Sequence, residues 1–220
     1  PWAAPCVLKP KRNLVEGKVL YPLLCQKPSE LDLALQQIDK QYWFCEDWVN
    51  GQSLYLCAYL DKNGKFDSFW QENLMQQAGG KSVVLARTTV NPGIDENEFM
   101  AGLHAEGYFG PIMMEVIRDE SEKLYYIEVN PRFWGPLNLA VAARPELLHR
   151  FATDLGLAPK RTASCSEIKT HWYAWAFGAH AGKCRRYPAS LHFSNDEIEA
   201  LLLKHDIYAA ANTSSLSNQY

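Results

Sequence analysis

Glu115-Val116-Ile117-Arg118-Asp119-Glu120-Ser121-Glu122-Lys123-Leu124-Tyr125-Tyr126-Ile127-Glu128-Val129-Asn130-Pro131-Arg132 is a pair of β-rich runs around a polar turn, the pattern of a hairpin. Pairing Asp119 with Leu124 across a four-residue loop, 120–123, sets Glu115 directly opposite Glu128, with Cβ atoms roughly 5 Å apart. Strand side chains alternate between faces, so Asn130 shares the face of Glu128. Two carboxylates and a carboxamide then lie on one side. Like charges facing one another across a ladder destabilise it unless a cation sits between them, and an all-oxygen donor set suits Mg²⁺ or Mn²⁺. Spacing alone leaves a second arrangement open: a register one residue out, or solvated glutamates on an exposed face, the commoner fate of glutamate. Apolar Ile127 and Val129 on the opposite face favour the metal arrangement, as does Pro131-Arg132-Phe133-Trp134-Gly135-Pro136, which is too aromatic and bend-rich for an ordinary turn.

The run Tyr126-Ile127-Glu128-Val129-Asn130-Pro131-Arg132-Phe133-Trp134-Gly135, together with Glu115, resembles the metal-binding end of the ATP-grasp superfamily, nearest its carbamoyl-phosphate-synthase-like and carboxylate–amine ligase branches. The resemblance extends from about Cys6 to Gly156. It implies an α+β fold in which two lobes, with antiparallel sheets and flanking helices, clamp a nucleotide. The division it implies is a smaller lobe at 1–49, incomplete at its N-terminus, a larger lobe at 50–156 carrying the metal hairpin, and an accessory C-terminal segment at 157–220. By the same resemblance, Glu115, Glu128 and Asn130 hold Mg²⁺ (or Mn²⁺) on the phosphates of ATP, and Arg132 contacts the transferred phosphoryl group or an acyl phosphate. The implied activity is ligation: a small-molecule carboxylate is activated as an acyl phosphate and an amine or similar nucleophile displaces the phosphate.

Composition is compatible with this. With 220 residues, 47% hydrophobic and 21% charged, the chain has the make-up of a soluble globular protein able to bury a core. A formal charge of -3 provides no basic field for nucleic acid. The nearly uncharged aromatic stretch His171 to Gly182 is too short to span a bilayer, and no signal peptide opens the chain. Cys6, Cys25, Cys45, Cys57, Cys165 and Cys184 include no C-x-x-C pair, which predicts reduced thiols and a cytoplasmic location. Nor do the cysteines and histidines show zinc-ligand spacing. Homo-oligomerisation stays open.

In chain order, Pro5 to Pro10 reads as a short buried strand that places Lys9 near its end, with Lys11, Arg12 and Lys18 following. This is either a phosphate clamp or a solvated basic turn. The resemblance matches Lys9 to the strand lysine on the nucleotide phosphates and residues 11–18 to the mobile loop above them, although Gly17 is the loop's one glycine. Pro28-Ser29-Glu30-Leu31-Asp32 opens a helix to about Lys40 with a capping-box-like start. Tyr42 to Val49 reads as an aromatic strand, or by the resemblance as the hinge, with Glu46, Asp47, Trp48 and Val49 as adenine contacts. Gln52 and Ser53 stand where the family places an acid for the ribose, so Ser53 is the ribose candidate.

Ser53 to Asp61 and Lys65 to Gln71 form a hairpin about Lys62-Asn63-Gly64. Gly79-Gly80-Lys81-Ser82 is no P-loop: Met75 stands where a glycine is needed, and β-branched Val83 to Val90 follows in place of a helix. Lys81 and Arg87 are either substrate contacts or exposed strand cations. Helices are expected at Asp95 to Glu106, Pro136 to Ala143, Pro145 to Leu155 and Ser194 to His205, and an aromatic strand pair at about 168–178. The Ser-rich tail from Asn212 reads as disordered.

A rival from another class is a nucleotide-binding or regulatory module without ligase activity. It is suggested by a start at Pro1-Trp2 rather than Met, by the substrate-binding region that the family places ahead of the residue matching Lys9, and by the glycine-poor loop and absent ribose acid. The expectation is that residues 1–220 alone fold with little turnover. Phosphate release assayed with ATP and a panel of amino acids measures this, and robust turnover overturns it.

Overall fold

Alternation in Cys6-Val7-Leu8-Lys9-Pro10 decides the first sheet: Cys6, Leu8 and Pro10 are buried while Val7 and Lys9 face outward. The computed structural model describes residues 2–12, 14–157 and 170–209. The chain divides into two compact units, residues 1–50 with 79–81, and residues 51–78 with 82–220. In the first unit, β1 (Cys6–Pro10) runs antiparallel between β4 (Leu23–Cys25) and β5 (Trp43–Asp47). Helix α1 (Pro28–Gln37) packs Leu31 and Ala34 on the buried face with Cys6, Leu8, Cys25 and Trp43. Its start carries a capping box, with Glu30 as the reaching carboxylate. The Glu30 carboxylate takes the N–H groups of Gln26 and Lys27 at 2.8 and 3.3 Å, because Pro28 occupies the first helical position, where its missing N–H costs nothing. A short antiparallel pair, β2 (Leu14–Val15) and β3 (Lys18–Val19), lies between β1 and β4 in sequence.

The second unit is built on a large sheet of order β10-β9-β6-β7-β8-β11, antiparallel throughout, with β12 pairing the far end of β7. Its strands are β6 (Gln52–Leu60), β7 (Phe66–Gln77), β8 (Val83–Thr89), β9 (Gly110–Arg118), β10 (Leu124–Asn130), β11 (Trp172–Ala174) and β12 (Cys184–Arg186). Every residue of β6 is buried, which follows from its central place with both faces covered. Leu54, Leu56, Ala58 and Leu60 pack with Met100 of α2 (Glu96–Ala105) on one face. Tyr55, Cys57 and Tyr59 pack on the other with Leu139 and Ala140 of α3 (Leu137–Ala143) and Leu147 of α4 (Pro145–Asp154). Each fully buried leucine here contributes about 2 kcal/mol.

Gly79 and Gly80 form a turn at φ 78° and 70° before strand β8, with no helix after it, so the P-loop is absent as expected. The strand pair expected at about 168–178 is corrected. Residues 168 and 169 lie outside the described residues; β11 pairs with β8, and Ala176–His180 is helix α5. Its alanines favour helix over strand, and Gly178 is required where a Cβ would come within 2.1 Å of the Trp175 ring. Helix α6 (Asn195–Lys204) carries the capping box, Ser194 Oγ accepting from Glu197 N and the Glu197 carboxylate from Ser194 N. The tail from Asn212 lies outside the described residues. No helix among the described residues is long and apolar enough to cross a membrane.

A buried charge network joins α4 to the β6–β7 turn. Arg150 donates from Nη1 to Asp61 at 2.7 Å and from Nε to Asp67 at 2.5 Å. Asp61 Oδ1 also takes the turn N–H groups of Asn63 and Lys65. Burial alone would raise the Asp61 carboxyl, but the N–H groups of Lys65 and Asn63 and the Arg150 guanidinium outweigh it and hold it below its ordinary value of 3.8. Because the folded-state value is depressed, the stability this group contributes is present above the ordinary carboxylate value and is lost as pH falls through the lowered one. Arg150→Met should destabilise the fold by about 3–5 kcal/mol, leaving two buried carboxylates without their cation. Urea melts at neutral pH measure this, and a loss under about 1 kcal/mol would show the network to be marginal, as solvent-exposed pairs are.

Candidate functional site

The hairpin forms, but its register is set differently from the one the spacing implies. Asp119 pairs with Lys123, not Leu124, closing a three-residue loop in which Glu122 has φ 65°. Such a loop ends in a left-handed residue. Asp119 Oδ1 holds it by accepting the N–H groups of Ser121 and Lys123. The ladder therefore begins one residue out, with Leu124 opposite Arg118 and Tyr126 opposite Val116. A β-bulge at Ile127 then absorbs the extra residue, and beyond it Glu128 stands opposite Glu115 and Asn130 opposite Met113. Without the bulge, Glu128 would oppose Met114 and point to the other face, since a one-residue slip inverts every side chain.

Glu115, Glu128 and Asn130 thus share one face. Asn130 Nδ2 donates to Glu128 Oε1 at 2.7 Å, which leaves the carboxamide oxygen as an acceptor. Ser53 Oγ donates to Glu115 Oε1 at 2.9 Å. Beneath them lies the buried phenol of Tyr55, which burial first, and then the charges of Glu115, Tyr187 and Glu128, push well above its ordinary pKa. No group of three or more His, Cys, Asp or Glu arranged for a metal occurs among the described residues; the set reaches three donors through the Asn130 amide. Two carboxylates and an amide oxygen fit a small hard divalent cation.

Arg132 follows two residues on, exposed, with Nη1 donating to the Phe133 carbonyl at 3.1 Å. It takes part in none of the ion pairs found among the described residues. Ser53, the ribose candidate, is fully buried, and its hydroxyl is engaged with Glu115 and Asn73. It therefore supports a carboxylate instead of facing a sugar. Sequence reasoning missed the continuation of this contact. Asn73 Nδ2 donates to Ser53 Oγ at 2.8 Å and Gln71 Nε2 to Asn73 Oδ1 at 2.7 Å. The available signal was two carboxamides at alternate positions of a strand bordered by apolar residues. Arg87 pairs with Glu72 at 2.6 Å and lies over the Trp172 ring.

The remaining site residues lie in the first unit. Lys9 Nζ sits 2.6 Å from Glu46 Oε2, diagonal neighbours on the outward face of β1 and β5. Asp47 ends β5, exposed, and Trp48 donates its N–H to the Pro5 carbonyl at 3.3 Å, with Val49 half-buried beyond it. The segment matched to the phosphate loop is the β2–β3 hairpin, whose turn residues Glu16 and Gly17 have φ 50° and 77°. Positive φ at both central positions is the type I′ geometry that fits strand twist. One glycine suffices there because Glu16 accepts the left-handed conformation, at a cost of about 1 kcal/mol.

Three solved structures show what the chain is similar to. The biotin carboxylase domain of Hydrogenobacter thermophilus 2-oxoglutarate carboxylase, solved with MgADP and bicarbonate, matches with TM-score 0.55 at 17% identity, over 79% of this chain and 41% of that one. An ADP complex of N5-carboxyaminoimidazole ribonucleotide synthetase matches with TM-score 0.60 at 16% identity, over 81% and 48%. An L-amino acid ligase from Bacillus licheniformis matches with TM-score 0.50 at 16% identity, over 80% and 45%. The chain therefore has the ATP-grasp fold, and it spans under half the length of each of these structures. No protein-family model matches it, and no curated protein does.

Divalent-cation binding should depend on Glu128, whose charge faces Glu115 across the ladder. Glu128→Gln should weaken Mg-ATP binding at least tenfold, the scale of losing a ligating or orienting carboxylate. Titration calorimetry with Mg-ATP measures it, and an unchanged affinity refutes the site.

Proposed function

We propose that the chain is the nucleotide- and metal-binding core of an ATP-dependent ligase that activates a carboxylate as an acyl phosphate for attack by an amine or similar nucleophile. The observation that carries this reading is the convergence of Glu115, Glu128 and Asn130 on one face of a hairpin within an ATP-grasp fold. ATP and Mg²⁺ (or Mn²⁺) come to this chain as part of the proposal, from the donor set and from neighbours solved with MgADP or ADP.

Glu115, Glu128 and Asn130 would hold the ion, which when bound supplies positive charge to the phosphate oxygens. Arg132 presents a planar fork able to grip a phosphoryl group at two points. Lys9 is the strand lysine of the phosphate clamp, its ammonium held by Glu46, and the backbone of Glu46 to Val49 is the adenine edge. The substrate carboxylate attacks the γ-phosphorus, ADP departs, and the amine displaces phosphate from the acyl phosphate. This chemistry needs positioning and charge neutralisation, not a side-chain nucleophile.

A second reading, a nucleotide-binding or regulatory module without turnover, is favoured by two observations: Ser53 is engaged with Glu115 instead of standing open for a ribose, and the β2–β3 hairpin carries a single glycine. Phosphate release with candidate carboxylates and amines separates the two readings. Arg132 provides a finer test in a form of the protein that turns over. A contact made in the transition state lowers turnover while leaving ground-state binding nearly unchanged. Arg132→Lys should keep Tm and ATP affinity and lose on the order of a hundredfold in kcat. A Tm that falls in proportion with activity assigns Arg132 to structure instead.

A further inference from the structure

We propose that Ser53 and Asn73 are positioning residues for Glu115, acting through a buried chain of hydrogen bonds that crosses three strands. The inference rests on the cation reading above. Gln71 on β7 donates to Asn73 at 2.7 Å, Asn73 to Ser53 on β6 at 2.8 Å, and Ser53 to Glu115 on β9 at 2.9 Å. Every donor points toward the carboxylate. A serine hydroxyl has one proton to give, and since the Asn73 amide occupies one of its lone pairs, that proton goes to Glu115 Oε1.

Gln71, Asn73 and Ser53 are fully buried, in a sheet whose neighbouring positions are Leu, Tyr, Cys and Ala. Burying three polar side chains there carries a desolvation cost, and apolar residues of similar shape would hold the sheet as well. What they add is orientation. In a low-dielectric interior, aligned donors polarise one another, so the chain strengthens the hydrogen bond that holds one oxygen of the Glu115 carboxylate. Outer contacts of this kind change metal affinity by about 10–100-fold.

The C-terminal segment completes the enclosure. Tyr187 is buried and donates its hydroxyl to Gln76 on β7. Gln52 accepts the Ala189 N–H at 2.8 Å and donates to the Asn73 carbonyl at 2.6 Å. Residues 187–189 thereby tie down the strand positions that carry the chain.

The test is Mn²⁺ titration of the 220-residue chain with ADP, followed by electron paramagnetic resonance, with Glu128→Gln as the control. Ser53→Ala should weaken Mn²⁺ binding about 10–100-fold while metal-free ADP affinity, measured in EDTA, stays at the wild-type value. Asn73→Asp, nearly isosteric, draws the Ser53 proton away from Glu115 and should act in the same direction. If Glu128→Gln loses Mn²⁺ but both variants keep wild-type affinity, the positioning role is overturned and the cation reading stands. If Mn²⁺ and metal-free ADP affinity fall together with Tm, or neither variant folds, the residues are structural and the inference falls. If Glu128→Gln binds Mn²⁺ like wild type, the cation reading falls and this inference with it.

Discussion

Two carboxylates held opposite one another on adjacent strands are the constraint around which the second unit is arranged. At roughly 5 Å and the effective dielectric near a protein surface, their repulsion is about 3 kcal/mol. The structure softens this with neutral donors: Ser53 to Glu115 and the Asn130 amide to Glu128. Neutral donors stabilise each charge without neutralising it, so the face keeps its attraction for a cation. A lysine or arginine between the glutamates would have stabilised the apo fold more and removed that attraction.

Holding the pair in register calls for a rigid scaffold. Strand β6 lies between β7 and β9 with both faces buried, so it has no freedom to slide. The close approach of β9 to its start explains Gly51, where a Cβ would lie 2.3 Å from the Arg118 carbonyl oxygen. Edge strand β10 carries the bulge that sets Glu128 opposite Glu115. An edge strand has a partner on one side alone, so an extra residue disrupts one ladder there and not two.

The first unit has a different character. Its core is small, among the described residues a cluster of six buried side chains drawn from β1, β4, β5 and one short helix, and its β2–β3 hairpin exposes Leu14, Val15 and Val19. Local openings of such a segment cost little, because few apolar contacts oppose them. The ion pair between Lys9 and Glu46, in contrast, restrains two long side chains on the outward face of β1 and β5.

Much of this was legible locally. Helix spans and caps, the turn at Asn63-Gly64, the strand after Gly79-Gly80 and the pairing of Glu115 with Glu128 follow from short-range rules of period, capping and turn chemistry. The pairing was reached through the wrong register, because the loop closes on Lys123 and the bulge at Ile127 compensates. No local rule announces a bulge: it satisfies the central strand β9, whose partners are far away in sequence. For the same reason the sequence placed Ser53 beside a sugar, and tertiary structure placed it under Glu115. The amino-acid sequence by itself determined which residues carry charge and which strands they ride on. Tertiary structure alone decided what stands behind them, since the partners of Glu115 and Arg150 come from segments 62 and 89 residues distant, and such contacts form only where separate strands and helices are packed into one core.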